Sequence, residues 1–407
     1  MPELNTGDTA WMLASAALVL FMTPGLAAFY GGMVRRKNVL STTMHSFFAI
    51  GSVGVLWALI GYSLAFSEGS GSTAALIGGL DYLGLNNVSG LVGTIPHSVF
   101  AMFQGMFAII TVALITGAIA ERMKFSAYVI FTSTWAILVY SPLAHWVWQA
   151  NGWLFKLGAL DFAGGTVVHI SSAAAALAAA IVLGKRKGLD SEAMRPNNLP
   201  LTVLGAGILW FGWFGFNAGS ALAANELAGT AFLNTNIAAC AAVVGWVLAE
   251  AFHAGKPTVL GAASGAVAGL VVITPAAGFV APWAAILMGL IGGVACYFGL
   301  SIKKKFKFDD ALDVVGIHGV GGTTGAILTG VFATSAINNL GSGLVDGNGK
   351  QVLIQIVAIL AAWAFSFIVS FVILKITDRL VGLRVDEESE VRGLDVTLHS
   401  EEGYAID

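Results

Sequence analysis

Charged residues are scarce in this sequence. Only 11% of the 407 residues are charged and 57% are apolar, whereas a soluble domain carries about 25% charged residues. The apolar runs are much longer than the ~10 residues of a membrane β-strand, which excludes a β-barrel. Glycine is abundant at 51 residues, as it often is in transmembrane helices. The composition therefore predicts an all-α integral membrane protein.

Cysteines are few, and the common catalytic motifs are missing. Cys240 and Cys296 lie in apolar runs, so we expect them to fill the core rather than form a disulfide or a metal site. The sequence lacks H-E-x-x-H, G-x-S-x-G, a Walker loop and Cys/His metal spacings. It also lacks a basic patch with interleaved aromatic residues. We therefore expect no enzyme activity, no metal, no cofactor and no nucleic-acid partner.

Eleven apolar stretches approach the ~20 residues that a helix needs to cross the hydrocarbon core. They fall at about 9–32, 44–66, 97–120, 125–148, 161–184, 199–219, 227–250, 258–277, 281–302, 311–334 and 351–376. The turns after the odd-numbered spans and the C-terminal tail hold 18 of the 20 Lys and Arg residues, all except Lys156 and Lys350. Positive residues favour the cytoplasm. We therefore predict a multi-pass membrane protein with its N-terminus outside and its C-terminus inside.

Two histidines lie within these apolar spans, each eight residues after an aspartate. His169 follows Asp161, His318 follows Asp310, and a Gly-Gly pair lies near each histidine. An ionisable side chain at membrane depth is energetically costly and indicates a functional site by default. The matched signatures open spans 5 and 10, which predicts a five-plus-five inverted repeat whose halves meet at one site.

The repeat defines the predicted domain organisation. The pseudo-repeats cover about 9–184 and 199–334, and the eleventh helix lies outside them. Together they form a transmembrane domain at 1–376, which contacts membrane lipid. The polar segment 377–407 is predicted to be a soluble cytoplasmic tail.

The residue pattern leaves the roles of the histidines and aspartates open. His169 and His318 could be neutral side chains that bond neighbouring helices, or a pair of imidazoles that holds or passes a proton. Asp161 could cap a helix or hold the geometry of a site, and we favour the cap. We expect Asp310 and Asp313 to be caps as well.

The other ionisable and aromatic residues of the spans have simpler predicted roles. Five further histidines are expected to be interfacial or solvated, namely His45, His97, His145, His253 and His399. Ten aromatic residues cluster near the external span ends, and an interfacial aromatic belt explains most of them. A subset could instead bind a cation. The cluster comprises Phe103, Phe107, Trp135, Tyr140, Trp146, Trp148, Trp210, Trp213, Phe214 and Phe216.

Several motifs together resemble the ammonium transporter (Amt/Mep/Rh) family over essentially the whole chain. They are D-F-A-G-G-T-V-V-H at 161–169, G-W-F-G-F-N-A-G-S at 212–220, V-G-I-H-G-V-G-G at 315–322, F-Y-G-G-M-V-R-R-K-N at 29–38 and D-R-L-V-G-L-R-V at 378–385. The resemblance is to the Amt branch, because the Rh branch typically lacks the counterparts of Trp148 and Ser220.

The resemblance implies roles for the residues at the mouth of a pore. Phe107, Trp148 and Ser220 match an external recruitment site for ammonium, with Phe103 nearby. Phe107 and Phe216 match two stacked rings that block the pore below this site.

The resemblance also implies how the pore works and what it contacts. His169 and His318 match twin histidines that line a narrow hydrophobic pore, and Asp161 matches an aspartate needed for structure and for transport. The implied protein is a homotrimer that carries ammonium or ammonia, with methylammonium as an analogue. A PII-type regulatory protein commonly binds the cytoplasmic face of this family. The alternative reading is an ammonium sensor of the same fold, although sensors often carry a longer C-terminal domain.

Overall fold

Long apolar α-helices dominate the computed structural model, which describes residues 3–404. Ten helices in this range are long and apolar enough to cross a membrane, and an eleventh apolar helix has 15 residues. They are α1 (Thr6–Met33), α2 (Arg36–Phe66), α3 (His97–Ile119), α4 (Phe125–Leu157, interrupted after Trp148), α5 (Gly165–Leu183), α6 (Leu199–Ala221), α7 (Glu226–Ala254), α8 (Val259–Ile273), α9 (Pro282–Phe306), α10 (Val315–Phe332) and α11 (Lys350–Val381).

Each predicted span coincides with one of these helices. The chain is therefore an all-helical, multi-pass membrane protein, as the composition predicted. The shortest helix, α8, falls below the length of the other ten, so the crossing of all eleven stays a prediction, as does their orientation. The Gly-rich segment between α2 and α3 contains a small antiparallel hairpin of β1 (Leu91–Val92) and β2 (Ile95–Pro96).

Small residues let the helices pack closely. α1 packs against α6, and α7 packs against both α8 and α9. A Cβ atom on Gly205 of α6 would lie 2.3 Å from the backbone nitrogen of Phe29, and one on Gly289 of α9 would lie 2.3 Å from the carbonyl oxygen of Ala238. Close backbone approach of this kind is typical of membrane helices, because packing drives their association.

The helices that carry the candidate residues lie at the centre of the molecule. The apolar windows of α3 and α5 are 89% and 83% buried, whereas those of α7 and α11 are 28% and 33% buried. The outer helices expose large apolar side chains such as Phe252, Ile291 and Leu360. An apolar outer surface fits contact with lipid.

The C-terminal tail folds against one end of the helices, which we call the basic face because it carries Arg35, Arg122 and Arg186. After α11 the chain forms α12 (Glu387–Arg392) and α13 (Leu394–His399). The predicted domain boundary at 376 falls inside α11. The tail after α11 was predicted as a polar segment, and in the structure it contains two short helices. Residues 1–2 and 405–407 of the predicted domains lie outside the described range.

The tail is attached to the basic face by specific hydrogen bonds. The backbone N–H of Ser41 donates to the carboxylate of Asp395 at 2.7 Å, and that of Leu394 donates to the side-chain oxygen of Asn38 at 2.9 Å. Burial raises the pKa of the Asp395 carboxyl, although the hydrogen bond from Ser41 partly opposes this. The tail therefore caps the start of α2 and fixes one end of the bundle.

A buried ion-pair cluster joins the turns of the basic face. Glu121 pairs with Arg35 at 2.9 Å and with Arg186 at 3.2 Å, and Arg186 also pairs with Asp309 at 2.9 Å. Burial alone would raise the pKa of the Asp309 carboxyl, but the hydrogen bonds and charge of Arg186, with the charge of Arg122, lower it overall. The cluster links the segments before α2, after α3, after α5 and before α10.

We expect Arg186→Met to destabilise the protein by about 3–5 kcal/mol, because it leaves buried carboxylates without their partner. The midpoint of thermal unfolding in detergent measures this. Asp309 has a lowered pKa, so its stabilising contribution is present above pH ~4 and is lost as the pH falls through its folded-state pKa. The difference between wild type and variant should therefore narrow in acid. Lys185→Met, at an exposed pair with Asp190, is the control and should change stability by less than about 1 kcal/mol. Equal effects of both substitutions would contradict the assigned role of the cluster.

Candidate functional site

The two histidines that the sequence singles out lie on π-helical turns at the starts of two helices. His169 belongs to the turn Gly165–Ile170, which begins α5, and His318 belongs to the turn Val315–Gly319, which begins α10. A π-helical turn interrupts the regular α-helical hydrogen-bond pattern and is frequent at functional sites. The same distortion therefore accompanies both copies of the sequence signature.

Glycines of the two signatures allow these turns to meet. A Cβ atom on Gly165 would lie 2.6 Å from Pro275, and one on Gly322 would lie 2.9 Å from the carbonyl oxygen of Gly165 and 3.0 Å from the Cβ of His169. Side chains at these positions would force the segments apart. The two signatures, about 150 residues apart in the chain, thus come together at one place.

The two imidazoles are in direct contact and are almost completely buried. Their Nδ1 atoms lie 3.2 Å apart, and the ring centroids are 5.2 Å apart with an interplanar angle of 29°. His169 is 1% exposed and His318 is 4% exposed. At this separation one Nδ1 donates a hydrogen to the other, so only one of the two rings carries its hydrogen on Nδ1.

His169 is held by two further side chains. The indole ring of Trp213 stacks on the imidazole at 5.5 Å between centroids and 24° between planes. The hydroxyl of Thr274 lies 3.3 Å from Nε2 of His169 and accepts the indole N–H of Trp213 at 2.9 Å. The sequence pattern indicated Trp213 only as one of ten clustered aromatic residues, and it gave no role to Thr274. The one available signal was a polar residue next to Pro275 at the end of an apolar span.

The imidazoles line a narrow, enclosed cavity. The cavity volume is about 10 Å³, which is about the space that one water needs. Apart from the histidines, Tyr30 and Trp213, the walls are apolar side chains. These are Met22, Leu26, Phe29, Ile110, Leu114, Val168, Leu209, Phe216, Val267, Leu312 and Ile317. We call this space the histidine cavity.

Two stacked phenylalanine rings adjoin the histidine cavity. The rings of Phe107 and Phe216 lie 4.1 Å apart with an interplanar angle of 18°, and each side chain is 1% exposed. The ring of Phe216 is also 6.3 Å from that of His169. Phe216 lies on a further π-helical turn, Phe214–Ala218, near the end of α6. The two rings therefore separate the histidine cavity from the residues on their other side.

The remaining predicted residues surround the far side of these rings. The rings of Trp148 and Phe103 approach Phe107 edge-on at 5.9 Å and 4.9 Å. The hydroxyl of Ser220 donates to the carbonyl oxygen of Phe216 at 2.8 Å, which leaves its lone pairs available to accept hydrogen bonds. Trp148 and Ser220 are partly exposed. We call Phe103, Trp148 and Ser220, on this side of the rings, the aromatic vestibule.

The carboxylate of Asp161 caps the turn that carries His169. It accepts the backbone N–H groups of residues 164–167 at 2.6–3.2 Å and the hydroxyl of Thr166. The indole N–H of Trp148 donates to the carbonyl oxygen of Asp161 at 3.0 Å. Asp161 thus has the capping geometry that we favoured from the sequence, and its backbone also holds a vestibule residue.

Asp310 occupies the corresponding position before His318 but makes fewer contacts. Its Oδ2 accepts the backbone N–H of Val315 at 2.7 Å, while Oδ1 has no partner among residues 3–404. Burial raises the pKa of this carboxyl to about 6, with a further contribution from the charge of Asp313. The two signatures thus share the capping position, but the carboxylate of Asp161 accepts more hydrogen bonds than that of Asp310.

Some expectations for the other histidines and aromatic residues are wrong. His45, His97 and His145 are at most 8% exposed, because neighbouring helices and loops cover these span ends. His145, for example, bonds the carbonyl oxygens of Ala65 and Ala74. Six of the ten clustered aromatic side chains are also buried inside the protein and therefore cannot form a belt at the lipid interface. These are Phe103, Phe107, Trp135, Tyr140, Trp213 and Phe216.

The described residues offer little for metal or thiol chemistry. Residues 3–404 contain no group of three His, Cys, Asp or Glu side chains that could hold a metal ion. Cys296 is buried, as expected, but Cys240 is exposed on α7, so the expectation that it fills the core is wrong. Both thiols are free.

Known proteins resemble this chain in sequence along nearly its whole length. The model of the Ammonium Transporter Family matches residues 10–404. The ammonium transporter of Bacillus subtilis is 56% identical, with 98% of this chain and 99% of that protein covered. The ammonium transporter Amt1 of Archaeoglobus fulgidus is 45% identical, with 98% and 100% covered.

Solved structures share the fold of this chain along nearly its whole length. Mep2 of Saccharomyces cerevisiae has a TM-score of 0.89 and 37% identity, with 95% of this chain and 89% of that chain covered. A structure described as a sensor Amt protein also has a TM-score of 0.89, with 30% identity and coverage of 97% and 98%. The fold is thus similar to that of Mep2 and to that of a protein described as a sensor.

Proposed function

The chain belongs to the ammonium transporter family, and we propose that it recruits ammonium at the aromatic vestibule, removes a proton and passes ammonia through the histidine cavity. The observation that carries this proposal is the order of the parts. A partly exposed aromatic and hydroxyl site is followed by two stacked rings and then by an apolar cavity whose polar groups are chiefly a pair of imidazoles.

The physical basis of selectivity is the difference between ammonium and potassium. The two cations have similar size, so a pore cannot separate them by width alone. An apolar cavity strongly disfavours any cation through the loss of hydration. Ammonium can leave its proton behind and enter as neutral ammonia, whereas potassium has no proton to lose. The histidine cavity thus acts as a filter for species that can become neutral.

The vestibule supplies the groups that attract ammonium before it loses its proton. A cation over a desolvated aromatic face gains about 2 kcal/mol, and Trp148 offers such a face. The hydroxyl of Ser220 already donates its own hydrogen to Phe216, so it meets ammonium as an acceptor of N–H. Potassium lacks N–H donors and cannot form that hydrogen bond, so its attraction to the same oxygen is electrostatic alone.

We expect Trp148→Leu and Ser220→Leu each to weaken the apparent affinity for methylammonium about tenfold, because each removes one recruiting interaction. Concentration-dependent uptake of radiolabelled methylammonium into proteoliposomes measures this. Trp283→Leu is a matched control, because Trp283 is 54% exposed outside the vestibule. Wild-type kinetics in both vestibule variants would mean that recruitment occurs elsewhere.

The second candidate function is an ammonium sensor, favoured by the likeness to the sensor Amt protein. The two functions differ in what they predict for a microbial strain that lacks its own ammonium transporters. In acidic medium with little ammonium, transport by this chain should restore growth. A pure sensor would bind ammonium and leave growth unchanged. Growth equal to that of the empty vector, with the protein present in the membrane, would overturn the proposed transport.

The cellular setting follows from the same proposal. We propose the inner (plasma) membrane, with the basic face in the cytoplasm, the transmembrane domain at 1–376 and the tail at 377–407. We also propose a homotrimer, whose interfaces would use part of the exposed apolar surface. A PII-type regulatory partner at the basic face stays a prediction.

A further inference from the structure

Thr274 joins the network around the histidine pair from outside the cavity wall. It follows α8 directly and is fully buried. Its hydroxyl has three neighbours, namely the carbonyl oxygen of Leu270 at 2.7 Å, the indole nitrogen of Trp213 at 2.9 Å and Nε2 of His169 at 3.3 Å. These contacts fill the capacity of a hydroxyl, which has one hydrogen and two lone pairs.

The chemistry of the three neighbours fixes the direction of each bond. A carbonyl oxygen can only accept, and it is the nearest neighbour, so the hydroxyl hydrogen goes to Leu270. An indole N–H can only donate, so Trp213 fills one lone pair. The remaining lone pair faces Nε2 of His169. That nitrogen must therefore carry a hydrogen, which assigns His169 as the Nε2–H tautomer.

The tautomer of His169 determines the tautomer of His318. With its hydrogen on Nε2, neutral His169 has a lone pair on Nδ1. Nδ1 of His318, 3.2 Å away, must then donate its hydrogen. His318 is left with a lone pair on Nε2, and this nitrogen has no hydrogen-bond partner within residues 3–404. Since His318 lines the histidine cavity, this lone pair is available to a small molecule inside it.

We propose that Thr274 is a positioning residue that fixes the tautomers of the histidine pair and thereby makes Nε2 of His318 the single acceptor that the pair offers to ammonia. Ammonia donates one N–H to this nitrogen, and no covalent bond forms or breaks. The inference rests on the proposed function, because the acceptor serves transport only if ammonia enters the cavity.

The reverse tautomers would give the cavity a different chemistry. If the hydroxyl of Thr274 donated to Nε2 of His169, the hydrogen of that ring would lie on Nδ1 and would be donated to Nδ1 of His318. His318 would then carry its hydrogen on Nε2 and would offer ammonia a donor instead of an acceptor. The loss of the 2.7 Å bond to Leu270 opposes this arrangement.

The first arm of the test measures the tautomers directly. Solid-state nitrogen NMR on proteoliposomes containing histidine-labelled full-length protein distinguishes ring nitrogens with and without a hydrogen. The resonances of His169 and His318 are identified by their loss in His169→Gln and His318→Gln. We expect the hydrogen on Nε2 of His169 and on Nδ1 of His318 in wild type and in Thr274→Ser, and a mixture of tautomers in Thr274→Val.

The second arm measures methylammonium uptake by the same proteoliposomes. Thr274→Val should lower the maximal uptake rate about tenfold, because it leaves the donors of His169 and Trp213 without an acceptor. Thr274→Ser restores the hydroxyl and should restore the rate. Thr329→Val is the control, because the hydroxyl of Thr329 bonds the carbonyl oxygen of Gly325 in the same way but does not contact a histidine.

The outcomes separate this inference from the proposed function. A hydrogen on Nδ1 of His169 in the wild-type spectrum overturns the inference, even if Thr274→Val does not fold. Wild-type tautomers and uptake in Thr274→Val overturn it as well. The expected tautomers in a protein that transports no methylammonium would support the positioning role of Thr274 and overturn the proposed function.

Discussion

Replacing His169 with alanine should abolish methylammonium uptake or make the protein permeable to potassium. The substitution removes the imidazole from the histidine cavity, together with its contacts to His318, Trp213 and Thr274. If the walls close over the gap, His318 loses the partner of its Nδ1 hydrogen, the pair no longer presents a fixed polar group to ammonia, and uptake falls at least about tenfold. If water fills the gap, a cation can cross hydrated, because the desolvation barrier is removed.

The uptake of radiolabelled methylammonium and of rubidium, a tracer for potassium, into proteoliposomes distinguishes these two results. His253→Ala is the matched control, since His253 is exposed and lies outside the cavity. It should retain wild-type uptake. Unchanged methylammonium uptake and unchanged exclusion of rubidium in His169→Ala would remove the histidine from the mechanism.

Asp161→Ala should destabilise the protein about as strongly as Arg186→Met, because it removes the cap of the turn that carries His169. The carboxylate accepts four backbone N–H groups and the hydroxyl of Thr166 while it is 7% exposed. An unpaired buried donor costs about 1–3 kcal/mol. Water will accept hydrogen bonds from some of the N–H groups that lose the carboxylate. We therefore expect the free energy of unfolding to fall by about 3–5 kcal/mol. Thermal unfolding in detergent, followed by the loss of monodisperse protein, measures it.

Asp161→Asn refines this prediction. Asparagine keeps one side-chain oxygen with two lone pairs but replaces the other with a donor. The variant should therefore lie between alanine and wild type in stability. If alanine and asparagine were both as stable as wild type, the cap would contribute nothing and Asp161 would have to be explained by transport alone. If both were stable but inactive, a direct role in the vestibule would be favoured.

The sequence predicted the helices and the central position of the two histidines well, for local reasons. Apolar spans are read directly from consecutive residues, and an ionisable residue inside one is conspicuous. The repeated spacing of Asp161 to His169 and of Asp310 to His318 also predicted that the two segments would meet. Their contact through Gly165 and Gly322 agrees with that reasoning.

The parts that the sequence did not predict depend on contacts between distant residues. The burial of His45 and His145 requires loops and other spans to fold over span ends, which composition does not encode. The role of Thr274 depends on side chains 61 and 105 residues away. The pattern of apolar residues does not predict the π-helical turns that carry His169, Phe216 and His318. A π-helical turn contains one more residue than an α-helical turn, and packing against neighbouring helices decides where it forms.

The resemblance to a family contributed a third kind of information. Nothing in composition selects Phe107 and Phe216 among the ten clustered aromatic residues, yet their motifs did so, and the two rings stack at 4.1 Å. Physical reasoning assigned most of these rings to a membrane belt and was wrong for six buried ones. A belt is a statistical tendency of aromatic residues, whereas a stacked pair requires particular neighbours from two helices.

The central claim is that the histidine cavity passes only a species that can become neutral. Simultaneous measurement of radiolabelled methylammonium and rubidium uptake by wild-type proteoliposomes tests it most directly. The account predicts saturable methylammonium uptake well above that of protein-free liposomes, while rubidium uptake equals the protein-free value. Rubidium that enters through the protein at a rate comparable to methylammonium would contradict the account.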